Sequence, residues 1–166
     1  DENIRLTKEV EELYSYLQRV FKEDPSFLRS LAPVSIKPGY PEIIKKMCLL
    51  SAEFNVGPMA AVAGTVNEYL AEKLNRHCDK LVIENGGDIY LRSKKDRLLG
   101  IYVKNDYFKD GISLRIKASN MPCGVCASSG TFGHSLSLGK CDLAVVVSKS
   151  SIAADAAATQ QATQDQ

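Results

Sequence analysis

"KLVIENGGDIYLRS", residues 80–93, is where the period of the chain changes. Upstream, apolar residues recur every three or four positions. Here two short extended pieces, Leu81–Ile83 and Ile89–Leu91, flank Gly86-Gly87, and apolar alternation replaces helical spacing. In "LTKEVEELYSYLQRVFKEDP", Leu6, Val10, Leu13, Leu17, Val20 and Phe21 mark an amphipathic helix that Pro25 is expected to stop. "SLAPVSIKPGYP" reads as loop. "PEIIKKMCLLSAEF" reads as a second helix opened by Pro41, and "PMAAVAGTVNEYLAEKL" as a third. Downstream, "KKDR" reads as a turn, and "LLGIYVKN", "ISLRIKAS", "CGVCASS" and "CDLAVVVS" read as strands. A closing helix begins with a serine cap at Ser150 or Ser151. Helices, then strands, then one helix argue an α+β domain rather than an alternating α/β one.

Composition bounds the function. The 166 residues carry 21 Lys and Arg against 20 Asp and Glu, so nothing points to nucleic acid as a partner. Short basic clusters such as Lys45-Lys46 and Lys94-Lys95 read as solvated surface. No apolar run approaches the ~18 residues that would cross a membrane, and the charged start "DENIRLTKEVEEL" does not resemble a signal peptide. Five scattered cysteines fit a reducing compartment, and the expected location is the cytoplasm.

Several small motifs have chemical potential. Gly86-Gly87-Asp88 allows either a tight turn or close approach of a ligand. "CASSGTFGHS", residues 126–135, offers backbone N–H groups and the Ser128, Ser129 and Thr131 hydroxyls, either as an ordinary turn or as a phosphate site. It lacks the Gly-Lys-Thr ending of a P-loop. Cys123 and Cys126 form a C-x-x-C with no second pair for zinc and no helix start for redox chemistry, so they read as unlinked small residues. His134 sits in the same Gly/Ser segment, whereas His77 reads as a helix cap. In "SIAADAAATQQ", residues 151–161, Asp155 and Thr159 are four apart and share one helical face among alanines. A carboxylate and a hydroxyl are hard oxygen donors of the kind magnesium accepts, or else a chance pair on a solvated helix.

In this order, "VGPMAAVAG", "ENGGDIYL", "CASSGTFGHS" and "AADAAAT" resemble the motif blocks of the ApbE family, the FAD:protein FMN transferases, and most nearly a smaller ApbE-like group related to them. The resemblance runs from about Phe27 to Thr159. It implies a T-fold-like α+β domain over residues 1–166, mostly antiparallel sheet with packed helices, with family strands preceding Asp1 and further chain after Gln166. It implies a flavin or related nucleotide, FAD or FMN, as the bound small molecule, with magnesium. By position, Asp155, Thr159 and the Ala60 carbonyl would hold the metal. Gly86, Gly87, Asp88, Ser128, Ser129, Gly130 and Thr131 would line the cofactor site. The candidate reactive groups come from the residues themselves: His134, by its place in the Gly/Ser segment and otherwise a structural hydrogen-bonder, and Cys126, as a residue beside the same segment. A family lysine falls at Ala61, a family acid falls at Thr131, and "HSLSLGK" keeps only the histidine of a longer family segment. The implied site is therefore poorer in charge than a transferase's, which favours binding over transfer. Two other functions are open: a part in sulfide assimilation and homocysteine formation through Cys126, or a non-enzymatic partner-binding or homo-oligomeric module using Tyr14, Tyr16, Tyr102 and Tyr107.

Overall fold

The computed structural model describes residues 2–74, 78–103, 108, 111–130 and 141–163, with side chains described from residue 7 onward. Helix α1 (Glu2–Glu23) is followed by a short α2 (Pro25–Arg29), α3 (Glu42–Glu53), a 3₁₀ turn (Pro58–Ala61) and α4 (Val62–Leu74). Strands β1 (Leu81–Asn85), β2 (Asp88–Arg92), β3 (Arg97–Ile101), β4 (Ile112–Ile116), β5 (Cys123–Ser128) and β6 (Ala144–Ser148) precede the final helix α5 (Ser151–Thr163). The α+β expectation holds: β1-β2-β5-β6 form an antiparallel sheet, and β3-β4 form a separate antiparallel hairpin. Among the described residues, no single helix is long and apolar enough to cross a membrane.

One expectation is extended and one corrected. The first helix stops at Glu23, just before Pro25 as expected, and Pro25 also opens α2, because proline at the first helical position lacks only an N–H that would be orphaned anyway. The third helix is not continuous from Pro58. Its first four residues form a tighter turn, and the α-helix starts at Val62. Gly57 precedes that turn, against the α2 end: a Cβ there would lie 1.8 Å from the Ser30 carbonyl oxygen.

Helix α5 is central. Ser151, Ile152, Ala154 to Ala158 and Ala162 are all buried, so the alanine-rich segment is an interior rod rather than a solvated helix. Small side chains let it sit between β5 and β6 on one side and α3, α4 and the 3₁₀ turn on the other. Glycines take the closest contacts: a Cβ on Gly64 would lie 2.2 Å from the Ser151 carbonyl oxygen, and one on Gly124 2.4 Å from the Ser151 Cα. The main core joins Leu13, Leu17 and Val20 of α1 to Phe27, Ile44, Met47, Tyr69 and Ile152. A second core lies on the opposite sheet face, where Leu91, Cys123 and Val125 meet Leu99, Leu114 and Ile116 of the hairpin.

Period-two alternation along β5 sorts its residues. Cys123 and Val125 join the hairpin-side core, whereas Cys126 packs with Ala154 and Ala158 of α5. A spacing of three therefore puts the two C-x-x-C sulfurs on opposite faces of the sheet, as unlinked residues.

Candidate functional site

A cavity of about 1330 Å³ opens at one end of the four-stranded sheet. The β1-β2 hairpin tip forms one side. Asn85 pairs with Asp88, leaving Gly86 and Gly87 as a two-residue loop with φ of +64° and +100°. Two consecutive positive φ values match the mirror-image turn that suits hairpin twist, and glycine takes both without strain. Glu84 steadies the tip by accepting the Gly87 N–H at 2.8 Å.

The floor is built by α4 and α5, which cap one another. From α5, Asp155 accepts the Gly64 N–H at 2.8 Å near the start of α4. From α4, Glu68 accepts the Ser150 hydroxyl at 2.7 Å and the Ile152 N–H at 3.3 Å at the start of α5. Ser150 in turn accepts the Ala153 N–H at 3.3 Å, the predicted serine cap. Each carboxylate meets the positive end of the other helix. The Thr159 hydroxyl donates to the Ala60 carbonyl at 3.2 Å, so Asp155, Thr159 and Ala60 converge on one cavity wall.

Asp88 starts β2 and is buried. Its carboxylate accepts the Ala127 N–H at 3.0 Å, and its carbonyl accepts the Asn67 amide at 2.9 Å. Burial raises the carboxyl pKa of Asp88 above the ordinary range. Burial raises that of Asp155 further, with repulsion from Asp88 adding to it and the α4 N–H groups opposing it. Ser128, at the end of β5, is 6 % exposed and lines the cavity, and its hydroxyl has no partner. A buried hydroxyl left unpaired costs about 1–3 kcal/mol, so a ligand atom that paired it would gain that much.

The remaining walls are apolar: Leu28, Leu31, Phe54 and Met59 on the helical side, Leu99, Ile101, Tyr102 and Leu114 on the hairpin. Arg29, at the end of α2, is the one cation lining the cavity among the described residues.

The structure thus brings Ala60, Gly86, Gly87, Asp88, Ser128, Ser129, Asp155 and Thr159 around one space. Gly130 lies just outside, its N–H donating to Cys141. Cys126 is not on the wall. Its side chain is fully buried, its thiol lies 3.5 Å from the Ser151 carbonyl, and burial together with Asp88 and Asp155 pushes its pKa far up. Thr131, His134, His77 and Tyr107 lie outside the described residues. Tyr14 and Tyr102 are exposed and Tyr16 is half-buried. Sequence reasoning missed Arg29 and the apolar walls, because they come from a five-residue helix and a hairpin whose faces only the tertiary fold reveals.

These features define an α+β domain with a ligand-sized cavity between a glycine hairpin and two mutually capped helices. Residues 3–164 match the protein family described as "AbpE bacteria", and the chain belongs to that family. It is 43% identical over 145 residues to a UPF0280 protein of Methanocaldococcus jannaschii, covering 86% of this chain and 59% of that protein. It is 42% identical over 146 residues to a UPF0280 protein of Methanococcus maripaludis strain C6, with the same coverages. A UPF0280 protein of Methanopyrus kandleri is 40% identical over 146 residues, covering 87% of this chain and 58% of its own. The chain thus spans about 59% of the length of the curated relatives it matches. These findings correct the likeness drawn from the motif blocks: the relatives are UPF0280 proteins of archaea, and none of these carries a flavin-transferase name.

Proposed function

We propose that this protein binds a flavin or a related nucleotide in the cavity, together with a divalent cation such as magnesium. The observation that carries the reading is the unpaired, buried Ser128 hydroxyl on the floor of a space of about 1330 Å³. Ligand pockets are mostly apolar, with a few placed polar groups, and commonly hold ~300–1,000 Å³. This one exceeds that range, in keeping with an extended ligand. Its apolar walls suit a flat ring, and its polar floor suits a hydrogen-bonding or phosphate-bearing end.

A cation follows from the lining. Among the described residues, Glu84, Asp88 and Asp155 line the cavity with Arg29 as the one cation. A bound cation would favour the ionised form of Asp155 that burial opposes, and would supply the positive charge a phosphate needs near the floor. The donors present fit a hard cation: the Asp155 carboxylate, the Thr159 hydroxyl and the Ala60 carbonyl are all oxygens on one wall. Bound there, the cation would neutralise phosphate charge. The residues themselves hold and orient: Asp155 ties the floor to α4, Thr159 fixes the 3₁₀ turn, and the hairpin glycines leave the entrance open. The reading is of binding, in a T-fold-like domain of the cytoplasm. The full burial of Cys126 speaks against a thiolate that meets sulfide.

Native mass spectrometry tests it. Protein incubated separately with FAD, FMN and ADP, with magnesium present, is expected to give one-to-one adducts. No adduct with any of the three at high micromolar concentration, where even a weak site binds, would overturn the reading.

A further inference from the structure

Antiparallel pairing collects charge at the sheet end remote from the cavity. The pairs Leu81–Arg92, Leu91–Cys123 and Gly124–Ser148 put the start of β1, the end of β2, the start of β5 and the end of β6 side by side. The turn after β2 leads into the hairpin, where Arg97 lies opposite Ile116. Lys80, Arg92, Lys94, Lys95, Arg97, Arg115, Lys117 and Lys149 therefore gather here, against Asp79 and Asp96 alone among the described residues of these segments. Both acids are engaged: Asp79 with Lys94, and Asp96 with Arg115 at 3.0 Å. Lys80, Lys95 and Lys117 are exposed. The Arg97 Nε is buried without a partner. A chain whose formal net charge is only +1 thus concentrates positive charge on one end.

We propose that this basic end of the sheet is a docking surface for an acidic segment of another polypeptide. Charge complementarity names the sign of the partner, and Leu98 names its kind. Leu98 is 69 % exposed and stands directly across the hairpin from Arg115. A segment that alternates carboxylates with apolar side chains would pair with these cations and cover Leu98. Single-stranded nucleic acid would instead be gripped by stacking on aromatic rings, and these basic segments, residues 79–80, 92–98, 115–117 and 149, contain none. The pairing is independent of the cavity and of whatever binds there.

The test is fluorescence anisotropy with a labelled peptide of alternating glutamate and leucine, beside labelled oligothymidylate and vesicles rich in phosphatidylserine. Three proteins are compared: wild type, the triple variant Lys80→Glu/Lys95→Glu/Lys117→Glu, and Leu98→Ser. All three positions of the triple variant are exposed, and circular-dichroism melting checks the fold of each protein. The wild type is expected to bind the peptide, and binding should weaken as salt rises from about 50 to about 200 mM. The triple variant should lose at least about tenfold in affinity and Leu98→Ser several-fold. Peptide binding that is absent at low salt, or equal in the triple variant, would overturn the proposal. So would tighter binding of the oligonucleotide or the vesicles than of the peptide.

Discussion

Replacing Gly64 by alanine tests the packing that holds the cavity floor together. The new Cβ would lie 2.2 Å from the Ser151 carbonyl oxygen, 2.7 Å from its carbon and 2.8 Å from the Asp155 Cβ. Real Cβ contacts stop near 3.0 Å, so α5 must retreat from α4 by about 0.8 Å in an interior with little free space. Overpacking of this kind costs about 2 kcal/mol. Loosening the Asp155 cap costs about 1 kcal/mol more. Alanine returns about 1 kcal/mol through its better helix propensity. The net loss is about 2 kcal/mol, which for a domain of this size lowers the melting temperature by about 4–8 °C. Gly100→Ala is the control, because a Cβ there meets nothing within 4 Å and its φ is not positive. Thermal denaturation followed by circular dichroism reads both. A Gly64→Ala protein that melts within about 1 °C of wild type would refute the argument that α4 and α5 meet backbone to backbone.

Gly87→Ala places a side chain at a φ of +100° and should cost about 1–3 kcal/mol, read by urea denaturation. Burial raises the Asp155 carboxyl pKa, so the folded state favours its protonated form. That contribution to stability is fully present below the unfolded value of about 3.9 and is lost as pH rises through the raised folded value. Asp155→Asn, which stays neutral, should therefore gain stability relative to wild type as pH rises over that window, measured by melting at a series of pH values. Glu12 has the opposite sign. Hydrogen bonds from Tyr16, Tyr69 and Lys73 lower its pKa to about 2. The stability it contributes is present above the unfolded value of about 4.5 and disappears as pH falls toward 2. Glu12→Gln should flatten the acid limb of the same melting series.

The architecture was legible where period is a sufficient signal. The switch from helical spacing to alternation at Leu81, the glycine turn and the serine cap of the last helix each depend on nearby residues, and each forms as the local chemistry dictates. The site was half legible. Asp155 and Thr159 stand out because polar groups are rare in an alanine run, yet the role of Asp155 as the cap of α4 could not be read. Its partner, Gly64, is 91 positions away in sequence, and only the crossing of two buried helices brings them together. The same holds for Glu68, which looks like an ordinary surface acid in an amphipathic pattern and is instead a buried cap 84 positions from its partner Ile152. Cys126 misled for a related reason. The next residues along β5, Ala127 and Ser128, line the cavity at the end of the strand, but the Cys126 sulfur lies one position further in and is buried against Ala154 and Ala158 of α5. The basic end is invisible in sequence because its charges come from four separate segments that only the antiparallel register aligns.

A fluorescence titration of FAD into wild type, Thr159→Val and Ser128→Ala, with magnesium and with chelator, tests the proposal that the cavity takes a flavin or nucleotide together with a cation held at Asp155 and Thr159. Wild type is expected to quench saturably and to bind about tenfold or more weakly when magnesium is removed. Thr159→Val should show a comparable loss with magnesium present, and Ser128→Ala a loss of about 1–3 kcal/mol. FAD binding that is absent, or that is the same with and without magnesium and in all three proteins, would contradict it.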